Sequence, residues 1–219
     1  MTLKLPAGLY ALVDDGVRPE LPLAEKARAV IDGGARVLQL RLEQTPDRPA
    51  LEVIRAVVAL ARTADVRVIV NDRVDLALAG DADGVHLGDE DLPVRDARRL
   101  LGPAALIGAT CRDLTQLRAA AEAGADYGGL GPVFTTTTKQ LALPPLGLSG
   151  LARLAELSPI PLVAIAGISL ETIGAVAAAG AHGAAVASGL LLAEDIAARA
   201  RALQAEFFAG AGTRLEHVS

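Results

Sequence analysis

Cysteine and aromatic residues are scarce in this sequence. Cys111 is the only cysteine, which excludes an intramolecular disulfide and a cysteine-based zinc framework. There is no tryptophan, and aromatic residues make up only 2% of the chain. The core must therefore be built from Leu, Val, Ile and Ala, and an apolar share of 52% supports one large core in 219 residues.

Basic clusters and long apolar runs are also missing. The formal net charge is -5 and the lysines and arginines form no cluster, which argues against nucleic acid or an anionic membrane as the main partner. The apolar stretch near the start is too short for a secretory signal, and no run is long enough to span a bilayer. We therefore expect a cytoplasmic protein.

Eight short apolar runs alternate with segments of helical periodicity. Strands are predicted at residues 8–13, 37–40, 66–70, 84–87, 106–110, 127–130, 162–165 and 183–187. Helices are predicted at residues 23–31, 48–61, 74–79, 94–101, 114–123, 151–157, 170–179 and 193–208. A glycine turn precedes each even-numbered strand, so the chain repeats in pairs of βα units.

Eight βα units in this length predict an α/β fold of the (β/α)8 TIM barrel type. We expect a single domain over residues 1–208, followed by a polar, frayed tail at residues 209–219. An open doubly wound sheet is the alternative, but the first predicted strand is not followed by the GxGxxG phosphate fingerprint. Such barrels are commonly dimers, so a homodimer is an expectation that the sequence does not decide.

The third and fourth predicted strands both run into acidic residues. The third ends at Asn71 and Asp72, and the fourth is followed by Asp89, Glu90 and Asp91. Because neighbouring parallel strands end at the same edge of a sheet, Asp72 and Asp91 should lie close together. Two carboxylates suit Mg2+, which proteins often hold with one or two acids while substrate phosphates complete its shell. Asp72 would also serve as a helix cap, and spacing alone leaves both interpretations open.

Other strand ends carry groups that bind anions. The second strand delivers Gln39 and Arg41, and the fifth delivers Thr110. The loop after the sixth strand contains four threonines followed by Lys139, although a polar surface loop would have a similar composition. The loops after the seventh and eighth strands, which form the habitual phosphate site of this fold, contain glycine.

A metal site and a separate phosphate site imply two phosphorylated substrates or one long one, which fits group transfer from a diphosphate. The histidines are poor candidates for catalysis. His86 lies within a strand and is interpreted as a packed barrel residue, His182 lies at the opposite end of the barrel, and His217 lies in the tail.

The sequence resembles the thiamine phosphate synthase family over nearly its whole length. The motifs that carry the resemblance occur in order: Gln39-Leu40-Arg41, Asn71-Asp72-Arg73-Val74-Asp75-Leu76-Ala77, Gly84-Val85-His86-Leu87-Gly88 with Glu90-Asp91-Leu92-Pro93, Gly124-Ala125-Asp126-Tyr127, Gly131-Pro132-Val133-Phe134 through Thr138-Lys139, Pro144-Pro145-Leu146-Gly147, and Ala164-Ile165-Ala166-Gly167-Ile168. The combination is specific, although single pieces occur in many barrels.

The resemblance implies a transferase that joins 4-amino-2-methyl-5-(diphosphooxymethyl)pyrimidine to 4-methyl-5-(2-phosphoethyl)thiazole and releases pyrophosphate. The implied mechanism is dissociative: pyrophosphate leaves first, and the thiazole nitrogen captures the pyrimidinylmethyl cation. No general base is required.

The resemblance also implies roles for individual residues. Asp72 and Asp91 would bind the cofactor Mg2+, and Lys139, Arg41 and Thr110 would be catalytic. The implied substrate-binding residues are Gln39, Leu40, Arg41, Asn71, Thr110 and Lys139 for the pyrimidine diphosphate, and Thr136, Thr137, Thr138, Gly167, Ala187 and Ser188 for the thiazole phosphate.

Four positions depart from the family pattern. Glu43 stands where the family usually has lysine, so a cation expected near the diphosphate is an anion here. Thr110 replaces serine, Thr135 replaces proline, and Ala166 replaces the first glycine of a pair. Two alternatives remain open: a thiazole tautomerase, which would need a base near the fifth strand and no acid pair, and a catalytically impaired paralogue that only binds phosphorylated ligands.

Overall fold

The computed structural model describes residues 4–135 and 144–216 and confirms the closed parallel barrel. The strands are β1 (Gly8–Asp14), β2 (Val37–Arg41), β3 (Arg67–Asn71), β4 (Gly84–Leu87), β5 (Leu106–Cys111), β6 (Tyr127–Leu130), β7 (Leu162–Ile165) and β8 (Gly183–Val186). The helices are α1 (Leu23–Asp32), α2 (Asp47–Thr63), α3 (Val74–Ala79), α4 (Val94–Leu101), α5 (Leu114–Ala123), α6 (Gly147–Leu157), α7 (Ile173–Ala178), α8 (Ser188–Leu191) and α9 (Ile196–Glu216).

Each strand pairs in parallel with the next, and β1 pairs with β8 to close the barrel. Side chains therefore alternate between the inside of the barrel and the layer beneath the helices. The interior cluster includes Tyr10, Val37, Ile69 and Tyr127. Strand residues that face outward, such as Leu38, pack under the helices. Because both faces are buried, the strands appear in the sequence as continuous apolar runs.

The amino-terminal end of the barrel is held by polar contacts that use turn residues. Asp83 accepts a hydrogen bond from the Val68 backbone N–H at 2.8 Å, and Asp126 accepts one from Ile107 at 2.7 Å. Arg98 on α4 donates to Asp126 and to backbone carbonyls, among them that of Gly124, which ends α5. These residues are therefore structural.

The last helix differs from the prediction. We expected the barrel to end at residue 208 and a frayed tail to follow, but α9 continues to Glu216. The reason is close packing of α9 on α7, where Gly210 lies directly against Gly174. A Cβ atom on Gly210 would lie 2.0 Å from the Gly174 carbonyl oxygen, so only glycine allows this approach. No helix in the described parts of the chain has both the length and the apolarity needed to cross a membrane.

Replacing Gly210 should separate the two helices. We expect Gly210→Ala to lower the free energy of unfolding by about 1–3 kcal/mol because the new methyl group overlaps the α7 backbone. Gly212→Ala is the matched control, since nothing lies within 4 Å of a Cβ atom there. Alanine at that exposed helical position should stabilise the chain by up to about 1 kcal/mol. Urea unfolding midpoints test both, and equal midpoints for the two variants would contradict the packing of α9.

Candidate active site

A cavity of about 790 Å³ opens at the carboxyl ends of the barrel strands. Its floor is the interior layer of the barrel, and its walls are the strand ends and the loops that follow them. Most of the predicted site residues in the described part of the chain line it: Gln39, Arg41, Asn71, Asp72, Asp91, Thr110, Gly167, Ala187 and Ser188. The structure therefore brings together side chains that are more than a hundred residues apart in the sequence.

Leu40 is the one predicted substrate-binding residue in the described part of the chain that does not line the cavity. The Leu40 side chain is fully buried in the layer between the barrel and the helices, because it alternates with Gln39 and Arg41, which point inward. Four other predicted residues, Thr136, Thr137, Thr138 and Lys139, lie outside the described residues.

Asp72 and Asp91 meet at the rim of the cavity, as expected for the ends of neighbouring strands. The Asp72 backbone is in the left-handed region, with φ of 61°, and its N–H donates to the His86 carbonyl oxygen at 2.8 Å. Asp91 accepts a hydrogen bond from the Gly88 backbone N–H at 2.6 Å. The two strand ends are thus tied together, and the two carboxyl groups face each other.

The electrostatics of this pair favour a cation. Burial, followed by contact with Asp91 and the charge of Glu43, raises the pKa of Asp72 to about 7, and Arg41 only partly opposes this shift. No group of three or more His, Cys, Asp or Glu residues in metal-binding geometry occurs within residues 4–135 and 144–216. Two oxygen ligands leave most of a cation's shell to water or substrate, which is the usual arrangement for Mg2+.

Arg41 is held by two acids, one of which the sequence interpretation missed. Arg41 donates to Asp14 at 2.9 Å and to Glu43, and Asp14 is almost completely buried. Asp14 is the partner of Arg41 in the β1–β2 register, so their pairing could have been inferred from the strand ends. Glu43 accepts a hydrogen bond from one terminal nitrogen of Arg41, and both residues line the cavity.

A continuous chain of hydrogen bonds crosses the inside of the barrel. We call it the interior chain, and its members in order are Thr110, His86, Tyr127, Tyr10, Gln39, Asn71 and Asp72. Tyr10 and Tyr127 are fully buried, and burial raises the pKa of both hydroxyls, which therefore stay protonated. Burial also lowers the pKa of His86 to about 4, so its ring is neutral at physiological pH.

The loop after β7 has an unusual backbone. Ala166 and Gly167 both have positive φ, of 79° and 67°, and a Cβ atom on Gly167 would lie 2.5 Å from the Thr135 carbonyl oxygen. The Ala166 carbonyl accepts a hydrogen bond from the Phe134 N–H at 3.2 Å. The loops after β6 and β7 are thus packed against each other, and the loop after β7 is one of the two that commonly bind phosphate in this fold.

Three residues that we did not expect to be catalytic have the following surroundings in the structure. His182 lies at the amino-terminal end of the barrel and bonds the Leu5 carbonyl at 2.9 Å. Cys111 is buried, and burial raises the pKa of its thiol to about 11, so it is not a base. His86 packs against Tyr127 inside the barrel, with ring centroids 5.6 Å apart, and it also lines the cavity floor.

Comparison with known proteins gives consistent matches. Residues 9–190 match the sequence model of thiamine monophosphate synthase. A thiamine-phosphate synthase of Myxococcus xanthus is 56% identical, over 94% of this chain and 94% of that protein. One of Anaeromyxobacter dehalogenans is 50% identical, over 94% and 90% of the two chains. A solved thiamine phosphate pyrophosphorylase from Pyrococcus furiosus superposes with a TM-score of 0.84 at 36% identity, over 93% of this chain and 96% of that one.

The pKa of Asp72 is a direct test of the acid pair. In metal-free protein we expect Asp91→Asn to lower this pKa, because a neighbouring carboxyl group is removed, whereas burial still holds it above the usual range. Glu43→Gln should lower it less, because its charge contributes less. Carboxyl ¹³C NMR titration measures the shifts, and an unchanged Asp72 pKa in Asp91→Asn would contradict the proximity of the two groups.

The same raised pKa has a consequence for stability. Between the unfolded value of about 4 and the folded value of about 7, the folded chain keeps a proton that the unfolded chain has lost. The contribution of Asp72 to the free energy of unfolding is therefore fully present at low pH and is lost as pH rises from about 4 to about 7. The Asp72→Asn variant has no carboxyl group at this position to lose its proton. The difference between its urea midpoint and that of the wild type should therefore increase in favour of the variant from pH 5 to pH 8.

Proposed function

The chain belongs to the thiamine monophosphate synthase family, and from this premise we propose how its cavity carries out the transfer. Its activity is thiamine phosphate synthesis, a transferase reaction that consumes a pyrimidine diphosphate and a thiazole phosphate. The observation that carries the assignment of roles is the position of the Asp72–Asp91 pair. It shares one cavity with Arg41 and with the loops after β7 and β8.

In this proposal the pyrimidine diphosphate occupies the half of the cavity between β2 and β5. Asn71, Gln39 and Thr110 lie on that side and would hold the pyrimidine ring, and Arg41 would approach the diphosphate. Lys139, by the match of its motif, would stabilise the departing pyrophosphate together with Arg41. Asp72 and Asp91 would hold Mg2+, which when bound neutralises charge on the diphosphate.

The thiazole phosphate occupies the opposite half. Gly167, Ala187 and Ser188 line that side, and Thr136 to Thr138 would complete the phosphate site by the match of their motif. The two substrates then face each other across the interior layer of the barrel. This arrangement holds the thiazole nitrogen near the carbon that it attacks, so the residues contribute chiefly by orientation.

The transfer needs no proton acceptor from the protein. The bond between the pyrimidinylmethyl carbon and oxygen breaks, and pyrophosphate leaves with the electron pair. The lone pair of the thiazole nitrogen then forms the new bond to carbon. This agrees with a site in which His86, a histidine of the cavity lining, is held by hydrogen bonds in the interior chain. The tautomerase alternative called for no acid pair, whereas Asp72 and Asp91 are both in the cavity, and Cys111 of β5 is a buried thiol whose raised pKa keeps it protonated.

A turnover assay tests the proposed function. Purified protein with Mg2+ and both substrates should form thiamine phosphate and pyrophosphate in equal amounts, and EDTA should abolish both. Asp91→Ala should lower kcat by on the order of a hundredfold, because the leaving group loses charge stabilisation. Asp81→Ala removes an exposed acid at the opposite end of the barrel and should leave kcat unchanged. Near-normal turnover in Asp91→Ala would overturn the metal assignment.

Glu43 should weaken binding of the diphosphate because it competes for Arg41. We expect Glu43→Gln to lower the KM for the pyrimidine diphosphate roughly two- to fivefold, the size of an exposed ion pair, and Glu43→Lys to lower it further. Glu52→Gln removes an exposed acid of α2 outside the cavity and is the control. An unchanged KM in both Glu43 variants would show that Glu43 does not restrain Arg41. Absence of product from wild type and from Glu43→Lys alike would end the synthase proposal.

A further inference from the structure

The interior chain has a direction, and that direction is fixed at its Asp72 end. At that end the Asn71 amide nitrogen donates to an Asp72 carboxyl oxygen at 2.7 Å, so the Asn71 amide oxygen faces Gln39. Gln39 in turn must direct its nitrogen to Asn71 and its oxygen to Tyr10, whose hydroxyl donates at 2.8 Å.

The same reasoning continues through the hydroxyl groups, because each has one proton. The Tyr10 hydroxyl donates its hydrogen bond to Gln39, so it can only accept a hydrogen bond from the Tyr127 hydroxyl, 2.7 Å away. Tyr127 has then used its own proton and can only accept from His86 Nδ1 at 3.3 Å. A neutral imidazole has a single N–H, so His86 Nε2 carries no proton and accepts from Thr110 Oγ1 at 3.1 Å.

The fold reserves the space that this arrangement needs. A Cβ atom on Gly108 would lie 2.5 Å from His86 Nδ1, and one on Gly129 would lie 2.7 Å from His86 Cε1. Glycines on β5 and β6 thus leave room for the imidazole beside the Tyr127 ring. In the described residues the two ring nitrogens of this imidazole contact only hydroxyl groups, those of Tyr127 and Thr110, and no carboxylate pairs with the ring to favour its charged form.

We propose that His86 is a positioning residue that accepts the hydrogen bond donated by the Thr110 hydroxyl, which leaves Thr110 Oγ1 as a hydrogen-bond acceptor facing the cavity. The proposal rests on the proposed function, which supplies a pyrimidine with an amino group as the substrate. An amino N–H can donate to Thr110, whereas a carbonyl oxygen at the same position finds no proton there. His86 therefore selects an aminopyrimidine diphosphate over its 4-oxo analogue.

The tautomer of His86 can be observed without turnover. Protein labelled with ¹⁵N in its histidines, in Mg2+ at neutral pH and without substrate, gives ring signals that report which nitrogen carries the proton. The signals of His86 are those lost in His86→Gln. We expect a protonated Nδ1 and a bare Nε2. A proton on Nε2, or on both nitrogens, would overturn the proposal whether or not the chain makes thiamine phosphate.

Substrate preference tests the consequence. Wild-type kcat/KM should favour the aminopyrimidine diphosphate over the 4-oxo analogue roughly ten- to a hundredfold, because the analogue leaves an acceptor unpaired. His86→Leu frees the Thr110 proton and should narrow this ratio at least about fivefold. His86→Gln, whose amide oxygen can replace Nε2 as the acceptor, should largely keep the ratio. His182→Gln, at the other end of the barrel, should leave both ratio and rate unchanged.

The Thr110→Val variant gives a second measurement of the kcat/KM ratio between the two substrates, which is needed if His86→Leu does not fold. It keeps His86 but removes the hydroxyl, so the ratio should narrow here too. A wild-type ratio in folded His86→Leu or in Thr110→Val would overturn the proposal. Failure of wild type to make thiamine phosphate from the amino substrate would instead refute the proposed function, and the tautomer measurement would still decide the direction of the interior chain.

Discussion

The parallel register of the barrel strands is the constraint on which the site depends. In β2, Gln39 and Arg41 point into the barrel and Leu40 points out. A slip of one residue would exchange these faces, burying polar groups under the helices and placing leucine in the cavity. The same register sets Asp14 beside Arg41 and brings Asp72 to Asp91. Catalytic geometry and core packing are therefore specified by the same backbone hydrogen bonds.

The rim of the cavity carries more negative than positive charge. Arg41 is already paired with Asp14 and Glu43, and the nearby Asp72–Asp91 pair is short of positive charge. A diphosphate entering such a rim would meet more carboxylate than guanidinium. Binding of the diphosphate and of a divalent cation is thus coupled in this proposal, since each makes the other favourable by charge neutralisation.

Much of the fold was predictable from local pattern, whereas part of the site was not. The bounds of α3, α4 and α5 were predicted correctly because glycine follows each helix, and Pro93 and Asp113 precede α4 and α5. The course of α9 past residue 208 depends on contact with α7, which no local pattern encodes. Likewise, Tyr10 and Tyr127 lie in ordinary strand positions, and only closure of the barrel places their hydroxyls together. The pairing of Asp14 with Arg41 follows from the β1–β2 register, which sets the two residues side by side.

Ala166 illustrates what a single methyl group does in the loop after β7, which lines the cavity. Its φ of 79° costs roughly 1–2 kcal/mol for a residue with a Cβ atom, a strain that glycine would not carry. The same methyl group limits the shapes that the loop after β7 can sample before any anion arrives, so less chain entropy remains to be lost on binding. This chain thus gives up fold stability in exchange for a loop that is already set in one conformation.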